Sequence, residues 1–289
     1  MQANGGNDVL ALGGSAEADF DTNQIGLSSS DLFKGFESFE KMGSGTWNLY
    51  GNVAKDWWVR EGVLKGRPGS LAGNILNDAH VEIVADPLDD SYAGVISGGG
   101  TVSWTGGAAG TVIVSKPQRY TGLTRVINNS QAQIAAADTF AGDILIEAGS
   151  EIAAGGGAGP VQYDGLISGE GRFILVGSGV TWTGDHTLTG QTSLYNGASL
   201  SLGAGGNTGS VVGDVFLRNA STLEINRAND YLYAGVISGA GNLIKNGAGN
   251  YILSAGHTIT GTATVNAGGM VVNGAPARQL CKRSQCRCR

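Results

Sequence analysis

The chain has 289 residues, a formal net charge of −6 and only 15% charged residues. So acidic and charge-poor a body excludes general nucleic-acid binding, which needs basic surface to neutralise phosphates, and no apolar run approaches the roughly 20 residues of a membrane-spanning helix. Glycine accounts for 50 residues and proline for 5, without a Gly-X-Y period, so the chain is neither collagen nor a proline-rich linker.

The N-terminus, MQANGGNDVLALGG, has no basic segment and no apolar core. It is not a signal peptide, and the chain is expected to lack a leader. Ser29 to Phe33 is the one place where a capped helical turn is expected. Further on, Lys41-Met42-Gly43-Ser44-Gly45-Thr46-Trp47-Asn48-Leu49 parallels Lys245-Asn246-Gly247-Ala248-Gly249-Asn250-Tyr251-Ile252-Leu253. The match sets Trp47 and Leu49 on the strand face of Tyr251 and Leu253, so Trp47, Leu49, Leu243 and Leu253 are expected to point inward. Trp57-Trp58 follows, an aromatic pair with no counterpart elsewhere in the chain. Adjacent strand residues face opposite sides, so one of the two is free to meet a sugar or a partner surface, or to lie under a neighbouring loop.

From residue 73 onward the chain repeats itself. Tyr92, Tyr163 and Tyr233 open YAGVISGGG, YDGLISGEG and YAGVISGAG, at spacings of 71 and 70. Gly73, Gly142 and Gly213 open a second marker, at spacings of 69 and 71. A fixed period of this kind signals stacked like units. Between the markers lie strand-length apolar runs such as Val81-Glu82-Ile83-Val84, Ile144-Leu145-Ile146 and Leu223-Glu224-Ile225, punctuated by Gly, Asn, Asp and Ser. The fold class expected is all-β: a right-handed parallel β-helix, or solenoid, with about three coils per repeat and about 12 coils at about 4.8 Å each. Residues 1–275 form the expected body, with divergent coils over 1–72 and repeats near 73–142, 142–213 and 213–275. Residues 276–289 are set apart as a basic tail, disordered or off-frame. The stretch 277–289 holds five basic residues, no acid and all three cysteines, Cys281, Cys286 and Cys288. Their C-x4-C-x-C spacing matches no standard zinc pattern. A cysteine-free body suits export through an oxidising compartment, though a regular β stack also gains little from cysteine.

The motifs resemble those of a known family. Ile237-Ser238-Gly239-Ala240-Gly241-Asn242-Leu243, Lys245, Gly247-Ala248-Gly249, Leu253-Ser254, Thr258-Ile259-Thr260-Gly261 and Val271-Val272-Asn273-Gly274 are similar to the passenger-associated repeats of bacterial autotransporters, and residues 33–50 resemble an element of the same family. The resemblance covers most of residues 5–275. It implies an outer-membrane protein with leader, β-helical passenger and C-terminal β-barrel translocator. This chain is then expected to be a passenger fragment truncated before the barrel: non-enzymatic, surface-exposed or secreted, a rigid stalk presenting adhesive loops, with an adhesin or virulence role. Implied partners are the translocator, host-surface or extracellular-matrix ligands, or further copies of itself, and not nucleic acid.

The alternative is a β-helical polysaccharide lyase or hydrolase, which would work with clustered carboxylates. The densest acidic group is Asp86, Asp89 and Asp90, and Asp89 shares its repeat position with Asp230, a turn position. Neither an EF-hand nor a glycine-aspartate calcium repeat is present. His186 and His257 lie one repeat apart at the same position, so they are read as structural; His80 stands alone. Asp185 beside His186 is replaced by Gly256 in the next copy. There is no GxSxG nucleophile. The runs Gly98-Gly99-Gly100 and Gly155-Gly156-Gly157 are read as turns, since no phosphate-loop motif accompanies them. Catalytic, cofactor-binding and metal-ligating residues are therefore expected to be none, and no cofactor is implied.

Overall fold

In the computed structural model, residues 1–3, 5–87, 91–106, 110–134, 142–155, 161–218, 220–254, 256–273, 279–281 and 286–287 are described. They are all-β, with about 1% helix, and their parallel strands stack as a β-solenoid of about 11 turns. The chain divides into two compact units, Met1–Gln133 with Thr139–Asp143, and Ile134–Asp138 with Ile144–Arg289.

In the first unit one parallel sheet runs through Val9–Leu12, Ser38–Lys41, Trp57–Val59, Ile75–Asn77, Ile96–Gly98 and Arg119–Tyr120. A second runs through Ala18–Asp21, Thr46–Tyr50, Val63–Gly66, His80–Val84, Thr101–Thr105 and Thr124–Ile127. Side chains alternate along each strand, as the pleat requires: in His80–Val84, Val81 and Ile83 are buried while His80, Glu82 and Val84 are half-buried. Stacked inward residues such as Phe39, Trp57, Ile75 and Ile96 build the core.

The second unit repeats the plan. One sheet contains Glu151–Gly155, Arg172–Val176, Thr192–Tyr195, Val215–Leu217, Ile237–Gly239 and Thr258–Ile259. Another contains Val161–Tyr163, Gly179–Trp182, Ser199–Leu202, Thr222–Ile225, Asn242–Lys245 and Thr262–Val265. Shorter sheets of Ile144–Ile146, Ile167–Gly169 and Thr187–Leu188, and of Tyr231–Tyr233, Asn250–Leu253 and Gly269–Val272, complete it. Three turns carry the first of these sheets from its strand at Glu151 to its strand at Val215, a shorter stretch of chain than the repeat from Tyr163 to Tyr233. A repeat is therefore three turns and one further side. Ile167–Gly169 and Ile237–Gly239, the same motif, consequently sit on two different sheets. In the expected tail, Gln279–Cys281 pairs antiparallel with Gly269–Val272, and Cys286–Arg287 pairs antiparallel with Thr262–Val265.

The ISGxG motif makes a corner. Gly169 has φ of +104°, and a Cβ there would lie 2.0 Å from the Ile146 carbonyl oxygen of the preceding turn. That same oxygen accepts the Gly171 N–H at 2.9 Å, so only glycine lets the strand bend this close to its neighbour. Of the four residues expected inward, Leu49, Leu243 and Leu253 are buried. Trp47 is instead half-buried. Its indole N–H reaches out to the Gly13 carbonyl at 2.8 Å while its ring meets Phe20 edge-on at 6.4 Å.

The helical turn expected at Ser29 to Phe33 does not form. Asp31 turns its carboxylate back onto the Ser28 N–H at 2.7 Å, and Phe33–Lys34 pairs as a strand with Ile25–Gly26. Among the described residues the one helical segment is a 3-10 turn, Thr22–Gln24, capped by Asp21.

Candidate functional site

The histidines are built into the coils. The His186 ring packs edge-on to Trp182 at 4.5 Å and lies 6.0 Å from Tyr163. Its Nδ1 accepts the Ile167 backbone N–H at 3.0 Å. His257 does the same for Ile237 at 3.0 Å, and in the first unit Gln118 Oε1 takes this role for Ile96 at 2.7 Å. Burial holds His186 down to about 4, against a weaker opposing pull from Asp185. An imidazole that accepts at Nδ1 is neutral and engaged in the fold, which suits it poorly for proton transfer at neutral pH. His80 Nδ1 lies 2.6 Å from the Thr101 hydroxyl.

Buried cations mark the coil corners, a feature that composition and repeat spacing do not reveal. Lys41 is fully buried in an inward position, and its Nζ donates to the carbonyls of Met42 (2.8 Å), Gly43 (2.6 Å) and Glu61 (2.9 Å). Lys245, at the matching position, is also buried and donates to Gly247 O. Arg227 Nη1 bonds Asp185 Oδ1 and Gly209 O, both at 3.0 Å, and its guanidinium stacks over Tyr231. Asp185 also receives Ser210 Oγ at 2.8 Å and Gly209 N at 3.1 Å. These hydrogen bonds from Ser210 and Arg227 keep its carboxyl below the usual range in spite of burial. The cluster clasps the segment 203–210 to the stack.

The acidic group singled out in sequence does not assemble into a described site. Asp86 pairs with Arg67 at 2.5 Å, while Asp89 and Asp90 lie outside the described residues, as do Gly156, Gly157 and Cys288. Asp230 accepts the Asn250 N–H and side-chain amide at 2.7 and 3.0 Å, a turn role. Gly98, at φ of +101°, is a corner like Gly169. Among the described residues no three His, Cys, Asp or Glu side chains gather as metal ligands, and no helix is long and apolar enough to cross a membrane.

Trp57 and Trp58 divide as their alternation requires. Trp57 is buried against Phe39, with ring centroids 5.6 Å apart. Trp58 points outward and is half-buried, in register with Glu40 on one side and Leu76 on the other. Its Nε1–H donates to Asp78 Oδ2 at 2.7 Å. The Arg60 guanidinium lies 3.3 Å over the indole and is itself held by both oxygens of Glu40, at 2.8 and 2.9 Å. Beside Trp58 runs a groove of about 490 Å³ on the outer face of the sheet, lined by Val9, Glu37, Glu40, Asp56, Trp58 and Leu76 among others. The break in the repeat singled out Trp58. Its partners Glu40 and Asp78 lie one turn before it and one turn after it in the chain, a relation that gains meaning only once the length of a turn is known.

One comparison bears on this solenoid. The chain is 28% identical over 275 residues to the adhesin BmaC autotransporter of Brucella suis biovar 1, a stretch that is 91% of this chain. The chain spans about 7% of that protein's length. No family model matches the chain, and no solved structure matches it.

Proposed function

We propose that this chain is part of the secreted or surface-exposed passenger of an autotransporter-type adhesin. Its work is mechanical and adhesive: stacked coils supply a rigid stalk, and loops and outward side chains supply the contacts. The observation that carries this reading is the likeness to the Brucella adhesin along 91% of the chain, together with a parallel solenoid stacked over the same residues. In the longer protein a C-terminal β-barrel translocator would be the partner for export. The segment boundaries proposed are those of the sequence: coils over 1–72, repeats near 73–142, 142–213 and 213–275, and a separate basic tail over 276–289.

A non-enzymatic role is supported by how the charged groups are used. Glu40, Glu82, Asp86, Glu151 and Asp185 each pair with a lysine or arginine, and the buried histidines are neutral acceptors of backbone N–H groups. A glycan-cleaving site would need two carboxylates facing one substrate bond. The test is to offer purified 1–289 to immobilised host cells and matrix proteins and, separately, to acidic and neutral polysaccharides. Saturable adhesion without turnover is expected. Sustained cleavage abolished by one Asp or Glu substitution would replace this reading with the lyase or hydrolase alternative.

A further inference from the structure

We propose that the groove around Trp58 binds a neutral oligosaccharide; the inference rests on the adhesive reading above and names its ligand class. Trp58 adds little to the core, because the inward half of the pair, Trp57, already fills that place. Nevertheless three side chains fix the indole. Asp78 holds its N–H, and Arg60, clamped by Glu40, lies over its ring. A large outward ring held rigid in this way is a ready contact surface, since little side-chain freedom remains to be lost on binding. Trp58 lines the groove while Arg60 does not, which sets the guanidinium away from the groove.

The composition of the groove decides among ligands. Val9, Trp58 and Leu76 give it an apolar floor, and Val9 and Leu76 are both exposed. Around that floor lie amides, hydroxyls and carboxylates, and among the described residues no lysine or arginine lines it. The nearby Lys55 is turned over the Phe39 ring, its Nζ 5.2 Å from the centroid. An apolar platform with a few placed polar groups is the general build of a small-ligand site, and a sugar presents matching surfaces: a C–H face for the ring and hydroxyls that donate to carboxylates. The two acids not already paired with a cation or the indole are Glu37 and Asp56. Each has one oxygen committed to a backbone N–H, of Asp8 at 2.9 Å and of Asn74 at 2.7 Å, which fixes the acceptors in place. An acidic glycan would meet these carboxylates with no cation on the groove wall to offset them. A strongly basic peptide would find Glu40 already neutralised by Arg60. A neutral sugar meets neither penalty.

The experiment is calorimetric titration of the full chain with cellohexaose, laminarihexaose, mannohexaose and chitohexaose, with oligogalacturonate and oligolysine as charged probes. At least one neutral hexaose is expected to bind, and Trp58→Ala to weaken it tenfold or more. Leu76→Glu, a second outward change, is expected to weaken it as well. Circular dichroism and melting of both variants should match the parent. The inference is overturned if no neutral oligosaccharide binds, if both variants bind as the parent does, or if a charged probe alone binds through Trp58. The same proteins assayed for cell and matrix adhesion separate the two readings. Adhesion that persists undiminished in Trp58→Ala, with no sugar bound, sinks this inference and leaves the adhesive role standing. Sugar binding through Trp58 without any adhesion does the reverse.

Discussion

The phenol of Tyr233 donates to the carbonyl of Gly213 at 2.7 Å, so the two markers by which the repeat is recognised are the two ends of one hydrogen bond. Tyr92 and Gly73 meet in the same way in the first unit, at 3.3 Å. Each bond ties a coil to the one before it. Replacing Tyr233 by Phe keeps the ring and strands a buried carbonyl, at a cost of about 1–2 kcal/mol. Denaturant unfolding should show the midpoint falling; an unchanged midpoint would mean the phenol is not needed to satisfy Gly213.

Acid should loosen the second unit through its histidines. Burial lowers the His186 pKa from 6.5 to about 4 and lowers that of His257 in the same direction. The unfolded chain takes up protons that the fold refuses. The histidines' stabilising contribution is therefore complete above about pH 6.5 and lost as pH falls toward 4, by about 3 kcal/mol for His186. His186→Gln combined with His257→Gln copies the residue used at Gln118 and should flatten melting temperature over that range. A double variant with the parent's pH profile would assign the acid sensitivity elsewhere.

Lys41 should matter more than an ordinary lysine. Lys41→Met keeps the apolar stem but leaves the carbonyls of Met42, Gly43 and Glu61 without their shared donor, a loss of about 2–3 kcal/mol. Thermal melting measures it. A neutral or stabilising result would show that shedding the buried charge outweighs the lost hydrogen bonds.

Gly169→Ala tests the coil corner. A methyl group would be forced to within 2.0 Å of the Ile146 carbonyl oxygen at a positive φ, so local separation of the strands is expected, with a cost of several kcal/mol, in the range of about 3–5. Gly99→Ala, where a Cβ meets nothing within 4 Å, is the control and should melt close to the parent.

The stacked β architecture was legible because short apolar runs and turn glycines recur with the repeat, and the shared position of His186 and His257 marked them as structural. The turn itself was harder to see. Its length does not divide the repeat evenly, so coil neighbours such as Glu40, Trp58 and Leu76 carry no common sequence label. Lys41 and Lys245 aligned in sequence, yet their burial depends on carbonyls that glycine corners turn toward them, which residue type alone does not disclose. Trp47 aligned with Tyr251 and still came out half-buried, because its N–H is satisfied by a carbonyl at the coil edge rather than inside.

The extra side in each repeat has a genetic consequence. Suppose recombination within the second unit joined the residues before Ile167 directly to those after Ile237. The junction would fall between like motifs, and the new corner would again bring a glycine to a preceding carbonyl and a histidine to an isoleucine N–H. Core and hydrogen bonds would survive. Everything downstream, however, would emerge one face further round than before, so that loops which once shared a side would be dealt out afresh. A lineage carrying such repeats can reshuffle its surface by losing or gaining one copy, without a single point mutation and without giving up the fold.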